Sequence, residues 1–233
     1  MSSPIRILYW AEGRNTRPSR PLRTPAAPTD SGPTDRAAAA ALIASVGAEP
    51  GPDYSARQKS ASGKDQLDKK LPAYNAAAAY EPFLVMRDLD DYAECAPTFL
   101  KTKEITSAEF MCFRLIVRSL EAWLMADAQA LANWLQVGIE RLPVAPESLT
   151  NPKETLLALA RRSASRDLKS DLLPSSKSGR QTGPLYAARL QEFIGDSWNI
   201  RRVVASGRAP SLARAVSCLE RAIANYKEAN KLA

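Results

Sequence analysis

Asp88 and Asp90 flank Leu89 at the end of the apolar run Phe83-Leu84-Val85-Met86. Residues i and i+2 of a strand face the same side, so the two carboxylates are expected side by side where the strand leaves the core. Paired carboxylates repel, and each raises the other's pKa unless a cation joins them. Oxygen donors so placed suit Mg²⁺ or Mn²⁺; Mg²⁺ takes one or two carboxylates and leaves its other positions to water and phosphate. The plain alternative is that both aspartates merely end a strand and cap the next helix. The residues by themselves leave these two readings level.

The chain has no histidine among its 233 residues. That removes Ser-His triads, histidine general bases and histidine-bound zinc together. Hydrolytic chemistry is left to carboxylates, lysine, hydroxyls or a hard metal ion. The net charge of +7 is unevenly distributed. Residues 81–130 hold nine acids against five Lys/Arg, a balance of −4, whereas residues 151–233 hold seven acids against fifteen, a balance of +8. An acidic patch beside a basic region is what a metal site acting on a polyanion needs. Many basic proteins bind no nucleic acid, so contact with it is an expectation to be tested.

Three segments read as strands: residues 5–11 (IRILYWA), 83–87 and 111–117 (MCFRLIV). The four apolar residues after Pro82 suit a strand buried on both faces, the central position of a parallel sheet. Helical patterns lie between them at 34–46, 65–80 and 93–103, an α/β alternation with a partly parallel sheet. Residues 14–33 hold five of the seventeen prolines together with Arg14, Arg17, Arg20 and Arg23. They read as an exposed or disordered insert, and residues 48–64 read as a second Pro/Gly/Ser-rich connection. From Ser119 onward the chain is mostly helical. Asn151-Pro152-Lys153-Glu154 combines a cap, a first-turn proline and a glutamate three residues after the cap. The last helix carries Leu212, Val216, Leu219, Ile223 and Tyr226 on one stripe, a core or docking face. The organisation expected is an α/β core over 1–125 with a helical region over 126–233 packed on it. No run reaches the roughly 18 apolar residues of a membrane span. Cys95, Cys112 and Cys218 are widely spaced and odd in number, which suits reduced thiols in the cytoplasm.

Several segments together resemble a family. A strand ending Ala11-Glu12-Gly13, a helix, and a strand ending Asp88-Leu89-Asp90 are similar to the Toprim arrangement of topoisomerases, primases and overcoming-lysogenization-defect nucleases. MRDLDDYAEC, RSLEAWLMADAQALA, LPVAPESLTNPKETLLALARRS and TGPLY, in that order, resemble a bacterial Toprim-like family of unknown function. The resemblance implies a Toprim-like sheet and a metal site with Glu12 as the strand-end glutamate and Asp88 and Asp90 as the binding pair. Relatives run Glu-Gly-Pro-Thr-Asp directly into the first helix. Here Glu12-Gly13 is separated from Gly32-Pro33-Thr34-Asp35, with Ser31 just before that glycine. Either an insertion splits the motif and Glu12 remains the acid, or the acid is lost. Glu12 is favoured because it ends the strand-like run. Glu121, in the family-like Leu-Glu-Ala-Trp segment, either adds a carboxylate to the metal site or only faces the dipole of its helix.

The activity implied is Mg²⁺- or Mn²⁺-dependent hydrolysis of nucleic-acid phosphodiesters by water. Glu12, Asp88 and Asp90 are the expected catalytic groups. Arg87, Arg118 and Lys153 are candidates to hold phosphate oxygens, Arg by a bidentate fork and Lys as a point charge. Each also has a purely structural reading. Two other functions compete. One is a non-catalytic nucleic-acid-binding or interaction subunit, docking a partner such as an ATPase through the C-terminal helix. The other is a small-molecule phosphohydrolase.

Overall fold

In the strand Phe83–Asp88, the residues from Phe83 to Met86 are paired by a strand on each side, which is why they are apolar on both faces. The computed structural model describes residues 4–11, 32–53, 63–89, 107–175 and 179–232. Within them β1 (Arg6–Ala11), β2 (Glu49–Asp53), β3 (Phe83–Asp88) and β4 (Met111–Ile116) form one four-stranded sheet in the order β2-β1-β3-β4. Every pairing is parallel. The three expected strands all lie in this sheet, and the α/β fold class holds.

β2 corrects the expectation of a loop over 48–64. Its sequence is Glu-Pro-Gly-Pro-Asp, and two of its five residues lack the N–H that a central strand must donate. It forms because it sits at the sheet edge, paired on one side only, with a register shift between Ile7 and Tyr9. Gly51 allows the close pairing: a Cβ there would lie 3.0 Å from the Ile7 carbonyl oxygen.

Nine described helices cover the sheet and extend it: α1 (Gly32–Ser45), α2 (Gly63–Ala77), α3 (Leu120–Ala126), α4 (Ala128–Leu135), α5 (Pro152–Arg161), α6 (Arg166–Leu172), α7 (Tyr186–Asp196), α8 (Ile200–Ser206) and α9 (Pro210–Ala229). α1 begins two residues earlier than the expected start at Thr34. Pro33 falls in its first turn, where a missing N–H breaks no helical hydrogen bond. Gly47, at φ +74°, ends the run after α1 as expected. The cap read from Asn151 is present: its side chain accepts from the Glu154 N–H at 3.1 Å. The helix expected over 93–103, and Cys95 within it, lie outside the described residues.

Strand alternation divides the core in two. Leu8, Phe83, Val85 and Met111 face α2, where they meet Leu67, Leu71 and Tyr74. Ile7, Tyr9, Leu84, Met86 and Cys112 face the other way, into a cluster that continues through Leu42, Trp123, Leu156 and Phe193 to Leu219. Residues before and after position 125 therefore share one core. Leu212, Val216 and Leu219 of the expected C-terminal stripe are buried in it, while Tyr226 packs edge-on against Phe110. The stripe serves this chain's own packing.

A buried relay fixes α9 on α3. The Trp123 indole N–H donates to Ser211 Oγ at 2.7 Å, and that hydroxyl donates to Glu147 Oε1 at 2.5 Å. The Ser211 backbone N–H also donates to the Glu147 carboxylate, which thereby stands in for a cap at the start of α9. Ser211→Ala strands a fully buried indole N–H without an acceptor. The expected loss is about 1–3 kcal/mol of unfolding free energy, measured as a lower denaturant midpoint at unchanged slope.

Candidate active site at the strand ends

The carboxyl ends of parallel strands are where open α/β sheets hold ligands, and Asp88 lies there. Asp88 is the last residue of β3, opposite Ile116 at the end of β4. It is half-buried. Alternation places it with Leu84 and Met86, on the side of the sheet covered by α1 and the C-terminal helices. The ladder continues one step further, with the Leu89 N–H donating to the Ile116 carbonyl at 3.0 Å. Glu12 and Asp90 lie outside the described residues. Ala11, the residue before Glu12, is opposite Met86.

Glu121 sits in the first turn of α3, five residues beyond the end of β4, and is 5% exposed. Ser119 Oγ donates to its Oε2 at 2.6 Å, Tyr186 Oη donates to its Oε1 at 2.9 Å, and Lys153 Nζ stands 3.6 Å from Oε1. Asp35, 4% exposed in the first turn of α1, is near enough for its charge to act on Tyr186. The residues of this group come from the starts of four helices: Asp35 of α1, Glu121 of α3, Lys153 of α5 and Tyr186 of α7. Helix N-termini carry partial positive charge. Their convergence offsets part of the cost of keeping two acids out of water.

Three cationic candidates have different fates. Arg87 is 1% exposed and faces α2, where its Nε lies 3.5 Å from Asp68 Oδ1; its Nη1 donates to the Asp88 carbonyl at 3.3 Å. Its guanidinium is held inside the fold as a counter-ion, not offered to solvent. Arg118 follows β4, is half-buried, and takes part in no ion pair among the described residues. Lys153 is brought to Glu121 and keeps part of its side chain exposed.

Tyr186 and Asp35 are members of this group that residue types alone did not single out. The signals were present in Thr182-Gly183-Pro184-Leu185-Tyr186 and Gly32-Pro33-Thr34-Asp35, but the partners are far apart along the chain. Burial pushes the Tyr186 hydroxyl well above its ordinary value, and the charges of Glu121 and Asp35 push it the same way. The phenol therefore stays protonated and donates.

Because that pKa is raised in the folded chain, the contribution to stability is complete below about pH 10, the value of a free phenol. It is lost as pH rises through the folded value. Tyr186→Phe is expected to cost about 1–3 kcal/mol at neutral pH by removing a donor from a buried carboxylate. The difference from the parent chain should narrow above pH 10, as chemical unfolding at both pH values would show.

The donors fit a hard divalent ion in kind. They are carboxylate oxygens, and no imidazole competes in a chain without histidine. Among the described residues no three acidic or thiol side chains meet as a ready-made cage, and Mg²⁺ does not require one. Cys112 and Cys218 are buried, free thiols on β4 and α9. Among the described residues no helix is long and apolar enough to cross a membrane. No family model matches the chain, and no curated protein or solved structure matches it.

Proposed function

We propose that this chain is a Mg²⁺- or Mn²⁺-dependent phosphodiesterase of Toprim-like type acting on nucleic acid. The observation that carries the reading is Asp88 at the carboxyl end of a central parallel strand, on the side of the sheet where Glu121 is held by Ser119, Tyr186 and Lys153. The Asp-Leu-Asp spacing and the resemblance add Asp90 and Glu12 to the acidic set. Asp88 and Asp90 would hold the ion, with Glu12 as a further ligand or as the general base or acid. When bound, the ion supplies positive charge to a phosphodiester and a nucleophile from water.

The chain's own groups do the rest. Ser119 and Tyr186 orient Glu121, and the Lys153 ammonium beside it balances charge as an anionic substrate approaches. Arg118, with no ion-pair partner among the described residues, stands two residues beyond the end of β4 and is assigned to phosphate. The sheet and the helix starts hold these groups rigidly, which suits positioning chemistry. The test is cleavage of mixed single- and double-stranded DNA and RNA with Mg²⁺ or Mn²⁺, run beside the Asp88→Ala/Asp90→Ala variant. Metal-dependent cleavage that chelator abolishes and the variant lacks is the expected result. Cleavage that survives chelator would refute the metal-dependent reading.

A further inference from the structure

Pro174, Ser175, Arg180, Thr182 and Pro184, between α6 and α7, line one side of an open cleft of about 600 Å³. Among the described residues it is lined by three cations, Arg166, Lys169 and Arg180, and by no acid. Leu173, Pro174 and Pro184 give it an apolar floor. Arg166 and Arg180 are exposed and Lys169 is half-buried. Neither Arg166 nor Lys169 takes part in an ion pair among the described residues. The nearby acid Asp171 is already held by Arg189, whose Nε donates to its Oδ2 at 2.9 Å. The positive charge of Arg166 and Lys169 is therefore left for a ligand.

Its shape is built. Gly183 donates from its N–H to the Leu172 carbonyl at 2.9 Å, and Leu185 donates to the Asp171 carbonyl at 3.1 Å. A Cβ on Gly183 would meet backbone carbonyl atoms of Asp171 and Leu172. Only glycine lets the two segments approach so closely. Two residues beyond Pro184 stands Tyr186, whose hydroxyl holds Glu121. Pro184 of the floor and Tyr186, the anchor of Glu121, thus belong to one short stretch pinned at Gly183 and Leu185.

From these features we infer that the cleft binds single-stranded nucleic acid and feeds the strand toward the carboxylates. Its volume lies in the range of organic-ligand sites and exceeds what a lone phosphate fills. Cations set around an apolar floor match a sugar-phosphate chain whose bases lie on apolar side chains. In a duplex the base faces are covered by stacking and pairing, whereas a single strand leaves them free to meet the apolar floor. This inference rests on the nucleic-acid substrate proposed above, and its test is separable from catalysis.

Binding of a fluorescent single-stranded oligonucleotide to the full chain is measured by anisotropy, with chelator present and over a range of salt. Strand binding is then read without the metal, whatever the outcome of the cleavage assay, and the variants isolate the cleft's share. The variant Arg166→Glu/Lys169→Glu changes two surface cations and is expected to weaken binding by about tenfold or more. It should also flatten the salt dependence by about 1.4 in log–log slope, the contribution of two phosphate contacts on a single strand. The milder Arg166→Gln/Lys169→Gln should lie between it and the parent, with unchanged thermal unfolding. The control Arg221→Glu/Lys227→Glu places the same charge change on α9 and should leave affinity within about twofold of the parent. No binding by the parent chain, equal losses in cleft and control variants, or tighter binding of a duplex would each overturn the inference.

Discussion

Arg87→Ala is expected to cost about 3–5 kcal/mol of stability, the scale on which a buried charge pair fails when one partner is removed. Arg87 is 1% exposed, whereas its partner Asp68 is 23% exposed. The truncation also leaves a void beside β3, and its cost adds to that of the abandoned carboxylate. Arg87→Met/Asp68→Leu should recover a large part of the loss, because a matched apolar pair carries no uncompensated charge. Denaturant unfolding of the two single variants and the double variant closes the cycle. A purely phosphate-binding Arg87 would instead leave stability nearly unchanged and depress only substrate binding.

The second large effect concerns chemistry. Asp88→Asn and Glu121→Gln preserve shape and remove one negative charge each. Asp88→Asn should lower kcat and metal affinity together, by roughly two to three orders of magnitude in turnover, the scale of losing one charge-stabilising group at a reacting centre. Glu121→Gln changes what Tyr186 and Ser119 hold in place and should act on turnover more than on the fold. Circular dichroism spectra matching those of the parent chain separate these losses from unfolding. If both substitutions leave turnover untouched, neither carboxylate takes part.

The central strands were legible because burial on both faces imposes an unbroken apolar run, as in Phe83 to Met86. β2 was not, because an edge strand needs pairing on one side only and tolerates Pro50 and Pro52. The short helices α6 and α8 escaped for a related reason: seven residues each give too few turns for a periodic signal. The placement of Asp88 followed from a period of two. Arg87, one position away, goes to the opposite face by the same rule and meets Asp68 of α2. The contact between Tyr186 and Glu121 spans 65 residues, and no local spacing encodes it. Gly183 carried a signal whose cause, the approach of the Asp171 and Leu172 backbone, is visible only in three dimensions.

The claim on which the account turns is that carboxylates at the carboxyl end of β3 hold a divalent ion. Calorimetric titration of Mn²⁺ into the full chain, beside Asp88→Asn/Asp90→Asn, measures this without reference to any substrate. The account predicts saturable binding by the parent chain that the double variant loses while keeping its fold. Equal Mn²⁺ binding by the two proteins, or none by the parent chain, would contradict it.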